Sequence, residues 1–405
     1  MFAPFRILLL AGLIVTVGHG QPAAQQRAGQ APQPPSPLQQ LAAKFASLST
    51  DEQRNEMAAA NPELLAPEAG REVLLYGGVV LARGSLDAAR RAYNGALCLA
   101  ELQQNERLRA QAYLGIGVVE GRAGSNEESL QWTKRSLEIS QRIGDLESVR
   151  GTLNNLGIAY RRLGQLDVAL TYARDAVAVA GKLPNTEREA ATYNSLGLVH
   201  AARREMALAM AAFGRALELR TDDGGEGTQG LVTTLTNIGN FYNELGDLVR
   251  AEQYYQRAMA MADRLGPDAG RVRVGPTLNL ANVFVAQGRW QEARPLLNRV
   301  RVIAEESRSP ALYTSVLHNL ANLDRDEGKL ESALEMHKEV LAIRESGGPS
   351  VAMVETLTEL GRIYLGLGKL DDAFGYLKRA QDIADRTSDP GARARATIFM
   401  AAYYD

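Results

Sequence analysis

Apolar residues in the middle of the chain fall at helical spacing. Leu231, Leu235, Ile238, Tyr242 and Leu245 are separated by 4, 3, 4 and 3 residues, the stripe of an amphipathic helix with one face turned to a core. Gly239 sits beside Ile238 in that helix, and the pattern around it returns along the chain. Gly77, Gly117, Gly157, Gly197, Gly239, Ala281, Ala321 and Gly361 follow one another at intervals of 40, 40, 40, 42, 42, 40 and 40. A fixed period of this kind predicts one array of like units rather than two or three separate domains.

The unit has a constant interior. Gly239 is followed by Tyr242, Gly246, Ala251, Tyr255 and Ala258; Gly157 by Tyr160, Gly164, Ala169, Ala173 and Ala176; Gly361 by Tyr364, Gly368, Ala373, Leu377 and Ala380. The small residue lets a neighbouring helix approach the backbone. The second glycine reads as a left-handed cap that ends the first helix. Seven of the eight units have glycine there, and the fourth has Arg204. A second helix follows, with Ala251, Tyr255 and Ala258 facing the first. Each unit is thus a helix–turn–helix hairpin that needs its neighbours to bury its apolar face.

This arrangement resembles the tetratricopeptide repeat, in a long-period form of 40 to 42 residues similar to the kinesin-light-chain type. The resemblance covers roughly residues 70 to 405. It implies an all-α fold, a right-handed α-solenoid of helix–turn–helix repeats. Two repeats depart from the pattern. The second has Glu120, Ser129 and Thr133 where Tyr, Ala and an aromatic are expected, and the fourth has Arg204 at its turn. Less regular packing is expected in both.

The ends read differently. Arg6 followed by the apolar run Ile7 to Val17 and the small residues Gly18-His19-Gly20 reads as a signal peptide over 1–20, which implies an exported chain, periplasmic or secreted. The alternative is an uncleaved anchor over residues 7–18. Residues 21–38, rich in Pro, Gln and Ala, read as a disordered tether. Residues 39–69 are expected to form a helical cap, with Thr50 and Gln53 in a capping-box pattern. Eight repeats fill 70–390, and 391–405 reads as the first helix of an incomplete ninth, as in a longer polypeptide.

Composition narrows the function. The net charge of −2 supplies no bulk field for nucleic acid. No span is expected to cross a membrane in the mature chain. The single cysteine, Cys98, has no partner for an intramolecular disulfide and reads as a small buried residue. The four histidines, His19, His200, His318 and His337, show no metal-ligand spacing. The acidic, glycine-rich loop after Thr221 does not match a calcium-binding loop and reads as a connector. No catalytic group, cofactor or metal site is expected.

One face of the first helices stands out. With Leu235 pointing to the core, Thr233, Asn237, Asn240 and Glu244 fall on the opposite side. The equivalent positions are Gly275, Asn279, Asn282 and Ala286 in the sixth repeat, and Ser315, Asn319, Asn322 and Asp326 in the seventh. The third contributes Gly151, Asn155, Ile158 and Arg162, and the eighth Glu355, Glu359, Arg362 and Gly366. The fourth interrupts the ladder with Ala191, Ser195, Leu198 and Ala202, a candidate apolar pocket around Leu198. An asparagine amide carries both a donor and an acceptor, so it can pair with an extended backbone of any sequence. The resemblance to kinesin-light-chain-like arrays implies the same use for Asn155, Asn237, Asn279 and Asn319, with Asn240, Asn282 and Asn322 one turn later. Asparagine is also common on solvated helix faces. The expected function is a non-catalytic scaffold that binds a protein or extended peptide in a concave groove, as a monomer or as part of a longer chain. The competing reading is a sensor or substrate-recruiting arm of a larger enzyme. The array is similar to those of bacterial proteins with a CHAT caspase-like protease domain; a sensor kinase or cyclase is the further alternative.

Overall fold

The computed structural model describes residues 35–222, 229–266, 270–346, 348–387 and 389–404. The leader over 1–20, the tether up to residue 34 and most of the acidic loop, residues 223–228, lie outside the described residues. Every regular element among the described residues is helical. The chain divides into two units, 1–226 and 227–405.

The first unit opens with α1 (Pro37–Ser47), α2 (Asp51–Ala60) and a 3-10 turn (Pro62–Leu65). Four hairpins follow: α3 and α4 (Pro67–Ala82, Leu86–Leu102), α5 and α6 (Glu106–Ala123, Asn126–Arg142), α7 and α8 (Leu146–Arg162, Leu166–Ala180), and α9 and α10 (Thr186–Ala202, Met206–Asp222). The first helix among the described residues begins at Pro37 rather than 39, because Ser36 and Gln39 form a reciprocal capping box. Thr50 and Gln53 form a second one. α1 packs on α3 and α4 and buries Phe45 completely in the first hairpin's core.

The second unit holds α11 and α12 (Gln229–Glu244, Leu248–Arg264), α13 and α14 (Gly270–Ala286, Trp290–Glu306), α15 and α16 (Pro310–Asp326, Leu330–Glu345), and α17 and α18 (Val351–Gly366, Leu370–Thr387). A last helix, α19 (Pro390–Tyr404), packs on α17 and α18 through Ala392, Ala396 and Met400. The protein is an α-solenoid of helix–turn–helix repeats.

The recurring small residue is a packing contact. It faces the residue 16 positions later on the second helix. A Cβ built on Gly239 would lie 2.6 Å from the Tyr255 ring, one on Gly197 2.6 Å from Phe213, and one on Gly361 2.6 Å from Leu377. Where the residue is alanine, at 281 and 321, the facing residues are Leu297 and His337, and all four are fully buried. Aromatic stacks add a second tie in three hairpins: Tyr160 on Tyr172, Tyr242 on Tyr254 and Tyr364 on Tyr376, with ring centroids 5.3 to 5.5 Å apart.

The second repeat corrects one expectation, since its helices run as regularly as the others. Its hydroxyls take backbone partners in place of apolar contacts. Ser129 Oγ donates to Gly117 O at 2.7 Å, Thr133 Oγ1 to Ser129 O at 2.7 Å, and Glu120 accepts from Arg90 Nε at 2.9 Å. The fourth repeat is regular too, at a cost. Arg204 holds φ at +61°, where Gly164 and Gly246 hold +73° and +78°. A left-handed non-glycine residue carries about 1 kcal/mol of strain, part of which glycine's looser unfolded chain gives back. Arg204→Gly should therefore raise stability by about 0.5 kcal/mol, seen as a small upward shift of the thermal midpoint. An unchanged or lower midpoint would show that the arginine side chain offsets the strain.

Candidate peptide-binding face

The first helices carry the asparagines, and the structure divides these into two groups. Four are engaged inside the protein. Asn237 on α11 is 6 % exposed, against the outward position expected from a single core direction. A stacked helix is covered on its flanks as well as on its apolar stripe, so the angle opposite the core is not always solvent. Asn240 Oδ1 accepts from Tyr255 Oη and from Asn279 Nδ2, both at 2.7 Å, and so ties α11 to α12 and to α13. Asn322 Oδ1 accepts from Arg325 Nη1 at 3.2 Å, and Arg325 also pairs with Glu359 of α17.

Three asparagines are open. Asn155 on α7, Asn282 on α13 and Asn319 on α15 are half-buried and make no side-chain hydrogen bond among the described residues. Their Cα positions are fixed by helices packed on both sides, while donor and acceptor remain available.

The remaining candidates have local partners. Arg362 Nη1 donates to both carboxylate oxygens of Glu359 at 3.1 Å, and its guanidinium lies over the Phe399 ring at 5.0 Å. Arg162 Nη1 donates to Gly121 O at 3.0 Å. Leu198 is half-buried on α9; near it Ser195 is 8 % exposed and its hydroxyl donates to Ala191 O at 3.2 Å, which narrows the expected apolar pocket.

The sequence reading missed a pair of histidines. His318 and His337 are 19 residues apart, on α15 and α16, and their rings meet edge to face with centroids 5.1 Å apart. His337 is fully buried and neither ring nitrogen has a partner; His318 Nδ1 has none either. Burial pushes His318 down to about 4 and His337 down to about 2, with nearby arginines acting in the same direction. Both rings are neutral at pH 7. The signal was available: His337 occupies the position, 16 after Ala321, that holds Tyr, Phe or Leu in five of the other seven repeats.

Among the described residues there is no group of three or more His, Cys, Asp or Glu that could hold a metal ion, and no helix is long and apolar enough to cross a membrane. Cys98 is buried, its Sγ lies 3.6 Å from Asn55 Oδ1, and burial pushes its thiol up.

Comparison with known families decides the class. The family described as the MalT-like TPR region matches residues 127–317, and two further tetratricopeptide-repeat families match 314–346 and 354–387. The chain is a tetratricopeptide-repeat protein. No curated protein matches it in sequence. Solved structures with the same fold include the apo quorum sensor NprR from B. thuringiensis, at 14 % identity and TM-score 0.54, covering 85 % of this chain and 97 % of that one. A Rap protein complexed with competence and sporulation factor gives 16 %, 0.53, 86 % and 97 %. A STAND protein with a tetratricopeptide-repeat sensor, from Pyrococcus horikoshii, gives 14 %, 0.55, 90 % and 66 %. At these identities the likeness is one of fold. A tetratricopeptide-repeat fold is that of a protein-interaction scaffold.

Proposed function

We propose that this tetratricopeptide-repeat protein binds an extended peptide on the first-helix faces of its units and performs no chemistry of its own. The observation that carries the reading is the pair of open amides in the second unit, Asn282 and Asn319, fixed on packed helices with no internal partner among the described residues; Asn155 offers the same in the first unit. A half-buried amide left without a protein partner keeps its hydrogen-bonding capacity for a ligand or for water. An extended backbone offers an N–H and a C=O at regular spacing and matches that need without a fixed sequence. Ligand capture by such an array is supported by the NprR neighbour, a quorum sensor, and by the STAND neighbour, which carries a tetratricopeptide-repeat sensor. The proposal extends to an exported chain, supported by the sequence pattern of residues 1–20.

The test is capture from a library of terminally blocked nonapeptides. The intact chain is expected to retain a subset, and the double variant Asn282→Ala, Asn319→Ala to bind that subset at least tenfold more weakly, with its thermal midpoint within about 2 °C, since no internal bond is removed. Asn237→Ala and Asn240→Ala are unsuitable for this purpose because both side chains are engaged inside the fold. Equal capture by the double variant sinks the reading.

A further inference from the structure

An open pocket of about 820 Å³ lies in the second unit, away from the first-helix faces. Its volume is that of a small-ligand or short-peptide site. Gln291, Pro295 and Asn298 line it from α14 at spacings of 4 and 3, with Trp290 at the head of the helix. Glu327 and Lys329, in the turn between α15 and α16, line it from the next hairpin. None of the asparagines of the first helices is on the lining.

The tryptophan does not serve the fold. The same position holds Leu86 in the first repeat and Leu248 in the fifth, and both pack on the buried cores of their units. Trp290 stands outside the equivalent core among the described residues and is 36 % exposed. Its indole N–H and the amide of half-buried Asn298 make no side-chain hydrogen bond among the described residues. Pro295 is exposed inside α14, where it has no N–H to give to Gln291 O, so it weakens the helix and adds a bare ring to the opening. The charges on the lining are already spent. Arg289 pairs with Glu252 and Glu292, Arg294 with Asp324 and Glu327, and Lys329 with Glu327. An ionised ligand gains a partner there only by taking it from an existing pair, whereas a neutral ligand leaves every pair intact.

We propose that this pocket is a second docking site, for a short, uncharged, proline-rich segment of a partner protein. One proline ring lies on the Trp290 indole, and backbone carbonyls of the segment accept from the indole N–H and from the Asn298 amide. The chemistry of the two sides matches. Each proline offers a ring and a carbonyl but no N–H, and the pocket offers flat apolar surface with unspent N–H donors. The polyproline II form is held before binding, so little ordering cost is added. Ala31-Pro32-Gln33-Pro34-Pro35 of this chain is a sequence of that class, uncharged like the ligand that the paired charges favour.

The test titrates the full chain, in a Trp132→Phe background that leaves Trp290 as its one tryptophan, with a terminally blocked peptide of two Ala-Pro-Gln-Pro-Pro repeats. A saturable shift of the indole emission is expected, and a control peptide with alanine at every proline should bind at least about tenfold more weakly. Binding of the same peptide, labelled and followed by anisotropy, should be lost in Trp290→Leu with the thermal midpoint within about 2 °C, because leucine serves at 86 and 248. Asn282→Ala with Asn319→Ala, on the first-helix face, should leave binding unchanged. No saturable shift, equal binding of the alanine control, or binding that survives in Trp290→Leu overturns the proposal. Loss of binding in the double asparagine variant assigns the peptide to the first-helix face and overturns it too. Binding that tightens about tenfold in the full chain carrying Pro32→Ala and Pro34→Ala would make the chain's own segment the occupant and overturn the partner.

Discussion

Tyr255→Ala should destabilise the second unit by about 4 kcal/mol, the range found when a large buried ring is truncated. Tyr255 is fully buried, its ring lies against Gly239, and its hydroxyl supplies one of the two bonds at Asn240 Oδ1. Removing it opens a cavity between α11 and α12 and breaks the hydroxyl bond that ties α12 to Asn240 of α11. The same contact fails from the other side. Gly239→Ala puts a Cβ 2.6 Å from the ring and should cost about 2 kcal/mol, the usual scale of overpacking. The next hairpin shows the compensation, since Ala281 faces Leu297 there with both fully buried. The double variant Gly239→Ala, Tyr255→Leu should therefore be more stable than the sum of its singles by at least about 1 kcal/mol. The chain has two tryptophans, Trp132 in the first unit and Trp290 in the second. Urea unfolding followed at Trp290, in a Trp132→Phe background, reads the effect where it occurs. Additive singles would show that glycine and ring do not meet as described.

Acid should weaken the same unit through the histidine pair. His318 and His337 have their folded pKa values below the ordinary 6.5, so the native state binds fewer protons than the unfolded chain. Their contribution is fully present above pH 6.5 and is lost as the pH falls from there toward 4. One imidazole excluded from protonation gives up about 2 kcal/mol between pH 6.5 and 5. The surrounding charges favour the neutral rings: Arg325 on α15, Arg344 on α16, Arg362 on α17 and Arg395 on α19 all oppose a proton, and Glu359 alone among the cited groups favours one. The slope of unfolding free energy against pH should approach two protons between pH 5 and 6. His337→Leu, which installs the residue found at 297 and 377, should cut that slope by about one proton and cost nothing at pH 7.5. A wild-type slope near zero over that interval would place the rings in contact with water.

The repeat phase, the hairpins and the glycine turns are legible in the sequence because each is local. A left-handed turn asks for glycine within a fixed number of residues, and the positive φ of Gly164, Gly246 and even Arg204 follows from position alone. The roles of the asparagines were legible only in part. A helical wheel assigns one core direction, but α11 is covered on more than one side, so Asn237 is inside and Asn240 is spent on Tyr255 and Asn279. The substitutions at 129 and 133 were visible and suggested loose packing. Their outcome, hydroxyls satisfied by backbone carbonyls of the same hairpin, depends on contacts that the packing supplies. The histidine contact joins two helices and needed the facing-position rule, which only the packing makes plain.

The most direct measurement is the side-chain amide spectrum of the intact, isotope-labelled chain, recorded with and without a peptide from the library. Binding along the first-helix face of the second unit predicts shifts in the Nδ2 signals of Asn282 and Asn319, while those of Asn237 and Asn240, held inside the fold, stay in place. Stationary signals at these two open asparagines, with shifts confined to residues of the second helices, would contradict it.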